Sequence, residues 1–224
     1  MSAALDFGAV AANMPALLAG AGMTLAVSLG SIAAGMLIGL AVCLCRISRR
    51  RLLAWPARAF ISILRGLPIL VLLLMVFYML PGIGLDAPPL VAAIAALSLN
   101  SGAFQAEIYR GGFASIPPGQ AEAARALGLG EVRILHRILV PQVMAKVLPS
   151  LVNELIMLLK NSSLASTITV IELLRASQQI VSVTYRPTEV YLVAAVLYIL
   201  MNLGISALGG VARARLAGGG RMAA

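Results

Sequence analysis

No charged side chain occurs between Asp6 and Arg46, and almost every residue in that stretch is apolar. A helix needs about 20 such residues to cross roughly 30 Å of hydrocarbon. Three more charge-free runs follow, Gly66 to Leu85, Ala87 to Ala106 and Val190 to Ala212. A chain with this pattern has too little polar surface to face water. Its residues are 61% hydrophobic and only 11% charged, against about 45–50% and 25% in a soluble domain. The mean hydropathy of +0.99 agrees. The fold class expected is all-α and integral to a membrane, in a single domain over residues 1–224. Disorder, collagen, coiled coil and small disulfide scaffolds are excluded.

The crossing in the first run is expected in its later part, Ala21 to Leu44. A further span, Val147 to Ile168, is expected although it carries Asn153, Glu154, Lys160 and Asn161. That gives five transmembrane helices at about 21–44, 66–85, 87–106, 147–168 and 190–212. The basic residues support an odd number. Arg46, Arg49, Arg50, Arg51 and Arg58 follow the first run. Arg110, Arg125, Arg133, Arg137 and Lys146 follow the third, and Arg213, Arg215 and Arg221 follow the last. These are most of the 17 basic residues, and they fall on one side. Positive-inside bias puts that side in the cytoplasm, so the N-terminus is expected outside and the C-terminus in the cytoplasm. Met1 to Pro15 holds Asp6 and no Lys or Arg, which does not suit a cleaved signal peptide.

The net charge of +9 is thus a topology signal. With 5% aromatic residues and no interleaving of bases with rings, no nucleic-acid partner is expected. Cys43 and Cys45 have no metal-ligand companions and are expected to face lipid or a neighbouring helix. No metal and no cofactor are expected. Gly35 and Gly39 form a small-xxx-small pair that allows close helix approach. Packing within the chain is the expected use, and contact between subunits the alternative.

About 40 residues, 107–146, separate the third and fourth spans, an unusual length for an idle loop. Pro117-Pro118-Gly119 signals a helix start, Gln120 to Leu127 reads as a short helix, and Gly128 suits its stop. Glu131 to Val140 reads as a second helix, ended by Pro141. The loop therefore presents a short stiff helix, either lying in the membrane interface or docking a partner.

The residues of this loop carry a family resemblance. Glu122-Ala123-Ala124, then Gly128, then Ile138-Leu139-Val140-Pro141 is similar to the EAA loop of ATP-binding-cassette importer permeases, with Val140 where that pattern has Leu. Ala106 to Gly112, Ser115-Ile116-Pro117, Gly119-Gln120, Arg65-Gly66-Leu67-Pro68 (Leu67 replacing the usual Thr) and Lys160 to Leu164 resemble the polar amino-acid uptake branch. The resemblance implies a permease subunit in the bacterial cytoplasmic (inner) membrane. It implies pairing with a second permease, identical or related, two ATP-binding-cassette ATPase subunits and a periplasmic or surface-tethered solute-binding protein. The substrate implied is a polar amino acid or opine. Gln120, Glu122, Ala123, Ala124, Arg125 and Gly128 would couple to the ATPase, with Glu122 as the anionic contact.

The chain has no Gly-rich Lys-Ser/Thr phosphate loop, so ATP hydrolysis is expected on a separate chain. His136, the only histidine, has no ligating or catalytic company, so an enzyme is not expected. An ATP-independent channel or a secondary transporter for small polar solutes is the alternative.

An ionised side chain at a helix centre costs about 2.5–3.5 kcal/mol on insertion scales. Glu154 and Lys160 must therefore face protein or water. Asn153 and Lys160, seven apart, share one helix face, and Glu154 and Asn161 the next. Asn153, Glu154, Lys160 and Asn100 are the candidates for a substrate path, with Glu154 recognising an ammonium or guanidinium group. Glue between helices and outward snorkelling of Lys160 are the bland alternatives. Glu107 and Arg110 are expected to form a surface ion pair. Residues 166–187 are expected outside, with a short helix near Ile171 to Ile180 where a binding protein would dock.

Overall fold

The computed structural model describes residues 6–219 and contains only helices, turns and connecting segments among them. After a short helix α1 (Gly8–Ala12), α2 (Met14–Ile47) runs for 34 residues. α3 (Arg51–Gly66) and α4 (Ile69–Met79) follow, then α5 (Pro89–Ala114) and the short α6 (Pro118–Ala126). α7 (Glu131–Ile134), a π-helical turn (Leu135–Leu139), α8 (Val140–Asn161) and a 3₁₀ turn (Ser162–Ile168) form one continuous rod. α9 (Leu173–Thr184) and α10 (Pro187–Gly219) complete the chain. Among the described residues four helices are long and apolar enough to cross a membrane: Met14–Ile47, Pro89–Ala114, Glu131–Ile168 and Pro187–Arg215.

The second expected span differs. Residues 66–85 do not form one helix. α4 has 11 residues, about 16 Å at 1.5 Å per residue, half the hydrocarbon thickness. It meets α3 at a bend of 110°. The cause is local. Pro68 forces Leu67 into an extended conformation, φ −85° and ψ 136°, because its ring excludes the helical region for the residue before it. At the far end Pro81 opens a 3₁₀ turn, and Gly84 adopts φ +80°. The membrane is crossed here only if α3 and α4 act together, which gives five spans.

The expected 107–146 loop is also shorter than its charges suggest. α5 continues to Ala114 and the next rod starts at Glu131, leaving 115–130 outside the long helices. Nor does Pro141 end the second loop helix. The π turn just before it widens the helix where Pro141 offers no N–H to the carbonyl four residues back. The rod then continues through α8.

The tightest pair is α2 against α5, and small residues explain it. A Cβ on Gly39 would stand 2.8 Å from Gln105 Cβ and 3.0 Å from the Gly102 carbonyl oxygen. On Gly35 it would stand 2.7 Å from Gln105 Nε2, and on Gly102 2.7 Å from Ile38 Cγ2. The Gly35/Gly39 pair thus packs within the chain, backbone close to backbone. Cys43 is buried near Ile61 and Tyr109. Several hydroxyls inside the bundle turn back on their own helices. Ser28 Oγ donates to the Thr24 carbonyl at 2.7 Å, and Ser177 Oγ to that of Leu173 at 2.7 Å. Such bonds satisfy polar groups where water is absent.

Two polar clusters pin the ends. At one, Glu107 accepts from Arg110 Nε at 2.9 Å and forms an ion pair with Arg46 at 2.9 Å. The pair expected between Glu107 and Arg110 is therefore a triad that also ties α2 to α5. At the other, fully buried Glu172 caps α9, accepting from the backbone N–H of Leu174 (2.9 Å) and Arg175 (2.7 Å). The Tyr198 hydroxyl of α10 donates to it at 2.9 Å, and Thr24 of α2 accepts from the Leu173 N–H at 3.1 Å. α9 is thereby fixed to both α2 and α10.

Candidate functional site

Two regions concentrate polar side chains that the bundle itself does not consume. The first is α6. Pro117 (φ −58°, ψ 134°) sets its start, and Gly128 at φ +77° stops it, with the Gly128 N–H donating to the Arg125 carbonyl at 2.9 Å. A Cβ at Gly128 would meet nothing within 4 Å, so glycine is required there by the left-handed backbone and not by crowding. α6 turns Ala124 inward, 3% exposed. Gln120, Glu122, Ala123 and Arg125 face outward, and Leu127 beyond them is 81% exposed.

Although outward-facing, α6 is held at both ends. Arg125 grips Glu131 at the head of the long rod, with contacts of 2.6 and 3.3 Å. That bond raises the Arg125 pKa further above its already high value. Lys146 of α8 donates to the Ser115 carbonyl at 2.8 Å, and Ser115 Oγ to the Gly112 carbonyl of α5 at 2.7 Å. Glu122 has no ion-pair partner among the described residues. His136 is exposed on the π turn.

The second region is an open hollow of about 290 Å³ on the side of the bundle, lined by Arg65, Asn100, Phe104, Glu154, Met157 and Asn161 among others. Arg65 comes from the end of α3, Asn100 and Phe104 from α5, and Glu154 and Asn161 from α8. The Arg65 guanidinium lies 5.0 Å from the Phe104 ring centroid, a cation–π distance. Asn100 Nδ2 donates to the Leu64 carbonyl at 3.0 Å, which occupies the last carbonyls of α3 beside the bend. Ser101 stands beside Glu154 and accepts from Gln105 Nε2 at 2.9 Å.

The cavity separates the four candidates from the sequence. Asn100 and Glu154 line it. Asn153 and Lys160 do not; they stand on the exposed side of α8. Arg65 and Phe104 line it without having been singled out as site residues. Arg65 carried a signal, being the one basic residue bordering the second apolar run. The cavity joins a carboxylate, a guanidinium and two amides across a short span, an arrangement suited to a small solute with opposite charges. Among the described residues no cluster of His, Cys, Asp or Glu could hold a metal ion.

Residues 26–218 match the family described as binding-protein-dependent transport system inner membrane component. The octopine transport system permease protein of Rhizobium meliloti is 42% identical over 196 residues, covering 84% of this chain and 80% of that protein. A probable amino-acid ABC transporter permease protein of Bacillus subtilis is 41% identical over 186 residues, covering 83% and 82%. Among solved structures, an amino acid ABC transporter with histidines superposes with a TM-score of 0.87 at 35% identity, over 95% of this chain and 100% of that one. The MetNI methionine ABC transporter superposes with a TM-score of 0.78 at 24% identity, over 91% and 97%, a likeness of fold. The EAA-type loop, the helical bundle and a match over most of its length agree that this chain belongs to the binding-protein-dependent transport family as an inner-membrane component, a permease subunit and not an enzyme.

Proposed function

We propose that this permease subunit forms the translocation path of an ATP-driven importer for polar amino acids or opines, and that α6 is the helix through which separate ATPase subunits drive it. Relatives named for octopine, nopaline, arginine and glutamine transport support the substrate class. The assembly comprises a second permease, two ATPase subunits and a solute-binding protein. α6 and the arginine-rich ends of the helices face the cytoplasm, in keeping with the positive-inside bias, and the α9 side faces outward toward the binding protein. A channel or secondary transporter has no use for the binding-protein dependence that defines the family.

The observation that carries the reading is the condition of α6: Glu122 on its outer face has no ion-pair partner among the described residues, while its flanks are tied to α5 and to the long rod. Glu122 offers the ATPase an anionic contact, and Gln120, Ala123, Ala124, Arg125 and Gly128 shape the seat. Force on α6 then reaches the rod that carries Glu154. In the cavity Glu154 receives the substrate's cationic group, Arg65 its carboxylate, and Asn100 holds the α3 end in place. Asn153 and Lys160, away from the cavity, belong to the surface that a second permease covers.

The test uses the assembled transporter in vesicles. Glu122→Ala and Gly128→Val retain membrane insertion and assembly but lose most of the ATPase stimulation by loaded binding protein. Full stimulation in both variants overturns the coupling role. Glu154→Gln lowers uptake of a cationic substrate while stimulation by the binding protein persists; unchanged uptake removes Glu154 from recognition.

A further inference from the structure

The corner between α2 and α3 has a chemistry that neither the coupling helix nor the cavity uses. Arg49, Arg50 and Arg51 stand at the corner and Arg58 two turns into α3, all exposed. Arg49, Arg51 and Arg58 converge with Ser48, Ala54 and Trp55 on a hollow of about 470 Å³. None of these arginines enters an ion pair among the described residues. By contrast Arg46, one turn back, is neutralised by Glu107.

α3 carries three stripes. Ala54, Ala57, Ile61 and Leu64 are buried against the bundle. Arg51 and Arg58, seven apart, lie on the next stripe. Beyond them Leu52, Trp55 and Ile63 are 89%, 70% and 58% exposed. Leu52 shares an apolar hollow with Ala41, Val42 and Cys45 of α2, so the stripe adjoins apolar surface at the end of α2. The first two turns of α3, with adjoining apolar and arginine stripes, suit the membrane interface, chains against one stripe and headgroups against the other. Arginine forks match phosphate oxygens in pairs, and clustered basic residues beside a span attract anionic lipid. A protein partner would have to cover Leu52 and Trp55 as well as the arginines, whereas a phospholipid supplies both halves at once.

We infer that this corner is a binding site for the headgroup of an anionic phospholipid, held by Arg49, Arg51 and Arg58, with Leu52 and Trp55 against its acyl chains. Its place in the cytoplasmic leaflet rests on the orientation proposed above; the lipid preference does not, and ATPase stimulation checks that reading separately. A bound lipid would brace the start of α3, whose far end carries Arg65 into the cavity.

Trp55 is the only tryptophan and reports on the site directly. The full chain is placed in phosphatidylcholine–phosphatidylglycerol vesicles, with bromine on the acyl chains of one lipid or the other at equal total bromine. Brominated phosphatidylglycerol quenches Trp55 about twofold more strongly or better. In Arg49→Gln/Arg51→Gln/Arg58→Gln the two lipids quench equally, and persistent quenching shows that the chain is still inserted. If the triple variant fails to insert, seen as loss of quenching by both lipids, Arg58→Gln alone must still lower the preference. Equal quenching in the unmodified chain overturns the inference, as does a preference that survives the substitutions. Quenching by neither lipid overturns it too, and assigns the corner to a protein partner.

Discussion

Two glycines on α2 invite the same substitution with opposite results. A Cβ at Gly22 meets nothing within 4 Å, whereas at Gly39 it lies 2.8 Å from Gln105 Cβ, 3.0 Å from the Gly102 carbonyl oxygen and 3.1 Å from the Ala106 nitrogen. Two of those three atoms are backbone, so relief requires α2 and α5 to move apart. Gly→Ala in a helix gains about 0.5–1 kcal/mol from propensity, and this gain is common to both sites. Overpacking a tight contact costs about 1–3 kcal/mol. The difference between Gly22→Ala and Gly39→Ala isolates that cost. For a chain of this size each kcal/mol moves the melting temperature by about 2–4 °C. Gly39→Ala should therefore melt roughly 2–12 °C below Gly22→Ala, taking the two ranges together. Thermal denaturation of the purified chain in detergent, followed by size-exclusion elution after heating, gives the comparison. Equal melting of the two variants, or a more stable Gly39→Ala, would refute the argument that backbone proximity sets the α2–α5 packing.

Asn100→Leu leaves the Leu64 carbonyl at the α3 end without its donor and should cost about 1–3 kcal/mol, read in the same melt, with greater protease sensitivity near the α3–α4 bend. Glu172→Ala removes the cap of α9, worth about 0.5–2 kcal/mol, and strands the Tyr198 hydroxyl; cleavage after Arg175 by trypsin should accelerate. Burial raises the Glu172 carboxyl above the usual carboxylate range, outweighing its backbone and tyrosine donors, which act to lower it. A folded-state value above the unfolded one means that this group's contribution is full below the unfolded value and is lost as pH rises through the folded one. Glu172→Gln should flatten the pH dependence of melting across that window, and an unaltered profile would count against the buried carboxyl as its source.

The helices that the sequence shows well are those whose ends carry their own chemistry. Pro117-Pro118 and Gly128 bracket α6 at nearly its observed limits, because a fixed proline φ and a left-handed glycine act locally. The bent α3–α4 pair was hidden because absence of charge marks solubility in hydrocarbon, not helical continuity; Pro68 and Pro81 decide the latter. Pro141 misled for the opposite reason. A proline is a stop in isolation, but an adjacent π turn lets the rod pass through it. In the cavity, helical periodicity divides α8 into two polar rows without telling which faces inward. Only the packing of α5 against α8, with the Arg65 end of α3 at the same hollow, selects Glu154 and Asn161 over Asn153 and Lys160.

Because Glu131 and Glu154 ride on one unbroken rod, they keep a fixed separation of about 35 Å at 1.5 Å per residue. Pivoting the rod by about 5° around one of these residues would carry the other sideways by about 3 Å, roughly the diameter of a water molecule. A modest tug at the loop is thus enough, by geometry alone, to move the half-buried Glu154 past its neighbours on α5 by a water's width, the displacement that the solute recognition proposed for it would register.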